Sequence, residues 1–79
     1  MSFIIELFYP LPTDRKKEDE LMVFISKYSG QLAYREEKST SVSHYVCLTY
    51  EFPDLEKANS IVSLLSAKGY HIEGPSNYG

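Results

Sequence analysis

Only one cysteine, Cys47, occurs among the 79 residues, so no disulfide can form within the chain and an extracellular disulfide scaffold is excluded. A cytoplasmic location is the expectation that follows. Positive charge is not in excess either, since 8 Lys and Arg stand against 11 Asp and Glu, a formal net charge of −3. Such a chain has no overall attraction for nucleic-acid phosphates or anionic membranes. No apolar run approaches the ~20 residues of a membrane span, and no membrane contact is expected. The apolar opening, residues 1–7, is too short for a signal peptide, lacks a basic leader and meets Glu6.

Reactive patterns are missing too. There is no C-x-x-C pair and no H-x-x-x-H spacing, and the two histidines, His44 and His71, fall on opposite faces of their strands. Metal binding is not expected. No glycine-rich phosphate or dinucleotide loop is present, so no cofactor is implied. Activating Cys47 as a nucleophile would need a neighbouring base or cation. Its nearest ionisable neighbour on the sheet is expected to be Glu6, which raises a thiol pKa. No residue is therefore assigned a catalytic role.

What is present suits a small packed domain. Hydrophobic residues make up 43% and charged residues 24% of the chain, and 7 Tyr and 4 Phe are many for its length. A domain of this size buries only ~60% of its unfolded surface, and aromatic rings supply large apolar area per residue.

Residues 3–9 read as a strand, with Phe3, Ile5, Leu7 and Tyr9 on one face and Ile4, Glu6 and Phe8 on the other. Pro10 and Pro12 end it, because neither donates a ladder hydrogen bond. Thr13 and Asp14 are good N-cap residues, and Leu21, Phe24, Ile25 and Tyr28 follow at one-faced helical spacing. The basic run Arg15-Lys16-Lys17 opposes the helix dipole, which places the expected start nearer Lys17. Gly30 is expected to close this helix in the left-handed conformation.

Residues 31–37 read as a polar edge strand, with Leu32 and Tyr34 on one face and Ala33 and Arg35 on the other. Residues 38–42 form a polar loop. Residues 43–52 alternate again: His44, Val46, Leu48, Tyr50 and Phe52 face one way, Tyr45, Cys47, Thr49 and Glu51 the other. Asp54 caps a second helix whose buried stripe is Leu55, Ala58, Ile61, Val62 and Leu65, and Gly69 stops it. Residues 70–73 form a short last strand, and the turn-rich end is expected to fray. The domain is thus assigned to residues 1–74, with residues 75–79 as a short flexible tail.

Strand, helix, strand, strand, helix, strand is the split βαβ pattern of the ferredoxin-like fold. The predicted class is α+β, a two-layer sandwich. Right-handed crossovers give a four-stranded antiparallel sheet of order 4-1-3-2, with both helices on one face. The other face is left open. Alternation assigns to it Ile4, Glu6 and Phe8 from the first strand, Tyr45, Cys47, Thr49 and Glu51 from the third, Ala33 and Arg35 from the second, and His71 and Glu73 from the last. Phe8 is expected near Tyr45, Glu6 near Cys47 and Ile4 near Thr49. An exposed apolar patch of this kind marks a contact surface, and eight of these residues, Ile4, Glu6, Phe8, Arg35, Tyr45, Cys47, Thr49 and Glu51, are the candidate partner-binding site.

The layout resembles an RNA recognition motif over most of the chain. Leu7-Phe8-Tyr9 followed by Leu11-Pro12 is similar to that family's first-strand motif, and Ser43 through Tyr50 is similar to its third-strand motif. The resemblance implies base-stacking positions at Phe8 and Tyr45 and a core aromatic at Tyr50. Ser43 stands where the motif has Lys or Arg, His44 where it has Gly, and Cys47 where it has the aromatic that completes the platform. The leading expectation is a non-enzymatic interaction or regulatory module that binds a protein partner, or a second copy of itself, through the open face. Single-stranded RNA binding through Phe8 and Tyr45 is the alternative, and the net charge disfavours it.

Overall fold

Nine of the residues with the least exposed side chains, among them Ile5, Leu7, Val46, Leu48, Tyr50 and Phe52, come from alternate positions of two strands and from the helices above them. The computed structural model describes residues 2–78. Its elements are β1 (Ser2–Pro10), α1 (Arg15–Ser26), β2 (Gln31–Ser39), β3 (His44–Phe52), α2 (Leu55–Ala67) and β4 (His71–Tyr78). The strands form one sheet in the order β2-β3-β1-β4, which is the expected order read from the opposite edge. Every pairing is antiparallel. The fold is the ferredoxin-like α+β sandwich.

Leu21 and Ile25 of α1 and Ala58, Ile61 and Leu65 of α2 join the odd-numbered side chains of β1 and the even-numbered ones of β3 in a single buried cluster. Leu55, expected in that stripe, is 45% exposed at the first turn of α2. Asp54 caps α2, accepting from the Glu56 and Lys57 amides. Asp14 caps α1, accepting from the Lys17 amide at 2.9 Å. The helix therefore begins at Arg15, ahead of the expected start. A cap of this kind contributes about 1 kcal/mol, enough to offset the unfavourable end charges, and Lys17 also lies 5.5 Å from the Tyr9 ring centre.

Three further local features differ from expectation. At the end of α1 the left-handed residue is Ser29, at φ 66°, and the Gly30 amide returns to the Ile25 carbonyl at 3.1 Å. Gly30 is needed for space instead: a Cβ there would lie 2.5 Å from Ile25 Cγ2 and from the Phe52 ring. The end of α2 repeats the device with Gly69 in the left-handed place, at φ 95°, and the Tyr70 amide on the Leu65 carbonyl.

The second difference is in β2. Leu32 pairs with Tyr50, but Tyr34 pairs with Thr49, so a bulge at Ala33 puts one extra residue into the strand. Side-chain direction has period two, and one inserted residue reverses it for everything that follows. Arg35 is thereby carried to the helix side, opposite Leu48, while Tyr34 and Glu36 turn to the open face. The assignment of Arg35 to the open face is corrected accordingly.

The third difference is at the chain end. Residues 75–78 do not leave the sheet as a tail; β4 continues to Tyr78, pairing Ser76 with Ile4, Asn77 with Phe3 and Tyr78 with Ser2. Gly79 lies outside the described residues. The register slips between Ile4 and Glu6, and Gly74 absorbs the slip at φ 109°, where an added Cβ would sit 2.7 Å from the Ile4 carbonyl oxygen. A bulge there removes Pro75 from the ladder it cannot serve.

Gly30→Ala is expected to lower the unfolding free energy by about 1–3 kcal/mol through overpacking. Ser29→Gly is expected to raise it by up to about 1 kcal/mol by relieving the left-handed conformation. Urea midpoints at unchanged slope give both values.

Candidate functional site

The open face is laid out in rows that cross the strands. Lys38, Tyr45 and Pro10 form the first row, and Glu36, Cys47, Phe8 and His71 the second. Tyr34, Thr49, Glu6 and Glu73 form the third. Glu51 and Ile4 stand side by side in the fourth, flanked by Gln31 and Ser76. Seven of the eight expected site residues, all but Arg35, are therefore brought together.

The register between β1 and β3 differs by two residues from the expected one, since Phe8 pairs with Cys47 and Glu6 with Thr49. An even shift preserves the faces. Two of the expected pairs still meet, as diagonals: the Phe8 and Tyr45 ring centres are 5.8 Å apart in an edge-to-face arrangement, and the Cys47 thiol lies beside the Glu6 carboxylate. On its other side Phe8 lies 5.3 Å from the His71 ring. Three rings thus run across β3, β1 and β4, and a shallow hollow opens among Phe8, Tyr45, His71, Ser43 and His44.

Cys47 occupies the middle of this face and is nevertheless buried. Burial pushes its thiol pKa up, and the Glu6 carboxylate pushes it further, with Sγ 3.8 Å from Glu6 Oε2. A thiol held protonated is a poor nucleophile and a poor metal ligand. Among the described residues, no three His, Cys, Asp or Glu side chains converge as a metal site would need. No helix among them is long and apolar enough to cross a membrane.

The strongest polar cluster is on the other side of the sheet. Arg35 Nε donates to Glu18 Oε1 at 2.8 Å and its second terminal nitrogen to Glu18 Oε2 at 3.1 Å, while Nη1 reaches Glu37 at 2.7 Å. The Tyr9 hydroxyl donates to Glu18 and accepts from the Asp14 amide at 3.2 Å. Glu18 is the buried charged residue of the core. The Arg35 guanidinium holds its carboxyl below the usual range, against the opposing effect of burial. Burial, then the Glu18 contact, raises the Tyr9 hydroxyl. These bonds tie α1 to β1 and β2, and every member is satisfied, which gives the cluster a structural role. Sequence reading missed it because the bulge alone aims Arg35 at Glu18; a buried-face glutamate one helical turn from Leu21 was the one available signal.

Tyr34, Glu36 and Lys38 complete the open face beyond the residues expected on it, and His71 and Glu73 stand there as expected. His71 and Glu73 follow from alternation in β4, whereas Tyr34 and Glu36 reach the face through the bulge. The site is thus an aromatic and acidic sheet surface on a ferredoxin-like domain. Compared with known proteins, the chain matches no protein-family model and no curated protein.

Two outcomes test this geometry. The folded-state pKa of Glu18 is depressed, so its contribution to stability is present above the unfolded carboxylate pKa near 4.3 and is lost as pH falls through the lower folded value. Glu18→Gln is expected to cost about 2 kcal/mol at pH 7 and to flatten the acid limb of a urea-midpoint profile between pH 7 and about 3. Separately, Cys47 is expected to react with iodoacetamide at neutral pH well below the rate of a free thiol. Glu6→Gln should speed that reaction by lowering the thiol pKa.

Proposed function

We propose that this protein is a non-enzymatic interaction or regulatory module that takes a protein partner on its open sheet face, in a cytoplasmic setting that suits its single free cysteine. The observation carrying this reading is the Phe8–Tyr45 ring pair, which lies on the side of the sheet away from both helices. Ile4 and Thr49 extend the surface along the same strands, with Glu6 between Ile4 and Phe8 and Glu51 beside Ile4. Exposed aromatic side chains bordered by charge are common anchors of a protein contact. In geometry alone a second copy of the chain, packed sheet to sheet about 10 Å apart, is the simplest such contact, and the four glutamates of the face oppose it. Catalysis finds no support in Cys47, whose thiol is held protonated.

A second reading, single-stranded RNA stacked on Phe8 and Tyr45, is favoured by the three-ring row and by the resemblance to the RNA recognition motif. Glu6, Glu36, Glu51 and Glu73 oppose it, because each would stand near a phosphate.

Phe8→Ser and Tyr45→Ser, with Val23→Ser on the exposed side of α1 as the control, separate the possibilities. Light scattering after size exclusion gives the oligomeric state, and capture on immobilised protein gives partner binding. The expected result is loss of association by at least about 30-fold in the two ring variants, the scale of a binding hot spot, with circular dichroism unchanged and the Val23 variant unaffected. Association that survives both ring substitutions sinks the proposal.

A further inference from the structure

The charge of this molecule is not spread evenly over it. The open face carries Lys38 against Glu6, Glu36, Glu51 and Glu73. One base against four acids is an imbalance of −3, which is the formal charge of the entire chain. The remaining seven basic and seven acidic side chains cancel. Arg35, the other base of β2, is withdrawn to the helix side by the bulge and held there by Glu18.

Within the face, Glu6 and Glu73 stand directly opposite one another across β1 and β4. Like charges in that position are destabilising in a sheet, and neither has a lysine or arginine partner among the described residues. Glu6 is met by the Cys47 thiol at 3.8 Å, and Glu73 by His71 at 3.3 Å. Beside this pair, in the next row, is the Phe8 ring, flanked by Tyr45 and His71. Carboxylates next to an aromatic face match a guanidinium. It bonds acids through paired N–H groups and stacks flat on rings.

Resting on the reading of the open face as a docking surface, we infer that its occupant is an arginine-bearing segment of a different protein, with a guanidinium seated over Phe8 between Glu6 and Glu73. Charge complementarity carries the choice. A second copy would bring four glutamates against four, and RNA would bring phosphates against all of them. A basic segment removes the repulsion already present in the face.

The test is a titration of the isotope-labelled protein with a short peptide of alternating arginine and glycine, followed by amide chemical shifts. Matched lysine–glycine and glutamate–glycine peptides and oligouridine serve as comparisons. The expected result is shifts at Phe8, Cys47, Tyr45 and His71 with the arginine peptide, weaker shifts with lysine, and none with glutamate. Affinity should fall at least fivefold between about 50 and 300 mM salt as charges are screened. The double variant Glu6→Gln/Glu73→Gln should weaken binding at least tenfold. Asp19→Asn/Glu20→Gln on α1, an equal change of charge, should leave binding as it is.

Absence of shifts with the arginine peptide, shifts confined to the helices, or unchanged binding by the Glu6/Glu73 variant overturns the inference. Shifts at the same four amides with oligouridine alone, or on raising the protein concentration alone, also overturn it while leaving the open face as the docking surface. Failure of that reading itself has a separate signature, namely association indifferent to Phe8→Ser and Tyr45→Ser.

Discussion

Alternation in the two central strands is the constraint on which everything else depends. Ile5 and Leu7 of β1 and Val46, Leu48, Tyr50 and Phe52 of β3 are each at most 1% exposed. Burying such side chains contributes about 1.5–3 kcal/mol apiece, so moving either strand by a single residue would forfeit most of the core. A shift by two costs far less, since it keeps the same side chains inside. Faces in this domain are fixed by burial, and register within a face is settled by finer packing. Phe8, Tyr45 and the glutamates beside them are on the outer surface because their neighbours in sequence must be inside.

At the edge of the sheet a different force decides. β2 is too polar to be held by burial alone, with Leu32 its one apolar contact to the core. The bulge at Ala33 lets that strand keep Leu32 under the helices and still deliver Arg35 to Glu18. A buried carboxylate left alone would be costly; with two arginine bonds and the Tyr9 hydroxyl it becomes a joint between layers. The same bulge turns Tyr34 and Glu36 outward. One inserted residue thereby supports the interior and reshapes the exterior, making the open face more aromatic, more acidic and free of its only arginine.

Core demands and surface chemistry thus converge on a single surface. The helix side is neutral in sum and closed by packing. The sheet side has three rings in line and the chain's whole excess of negative charge. The two properties favour the same kind of occupant, flat and cationic, and they argue together against phosphate backbones and against an identical acidic face.

Much of this was legible in the sequence by itself. Element order, fold class, the Asp54 cap and the outward set Ile4, Glu6, Phe8, Tyr45, Cys47, Thr49 and Glu51 follow from local chemistry and from two-residue periodicity, which operate within a single segment. The tertiary structure decided the rest. Arg35 changed sides because a bulge depends on which partner a strand finds, not on its own pattern. Residues 75–78 joined the sheet because the start of β1 offered a ladder that local turn residues do not announce. Gly30 is required by the distant Phe52 ring and not by its own backbone angle. Where a residue's place depends on a neighbour far along the chain, periodicity is silent and contact geometry decides.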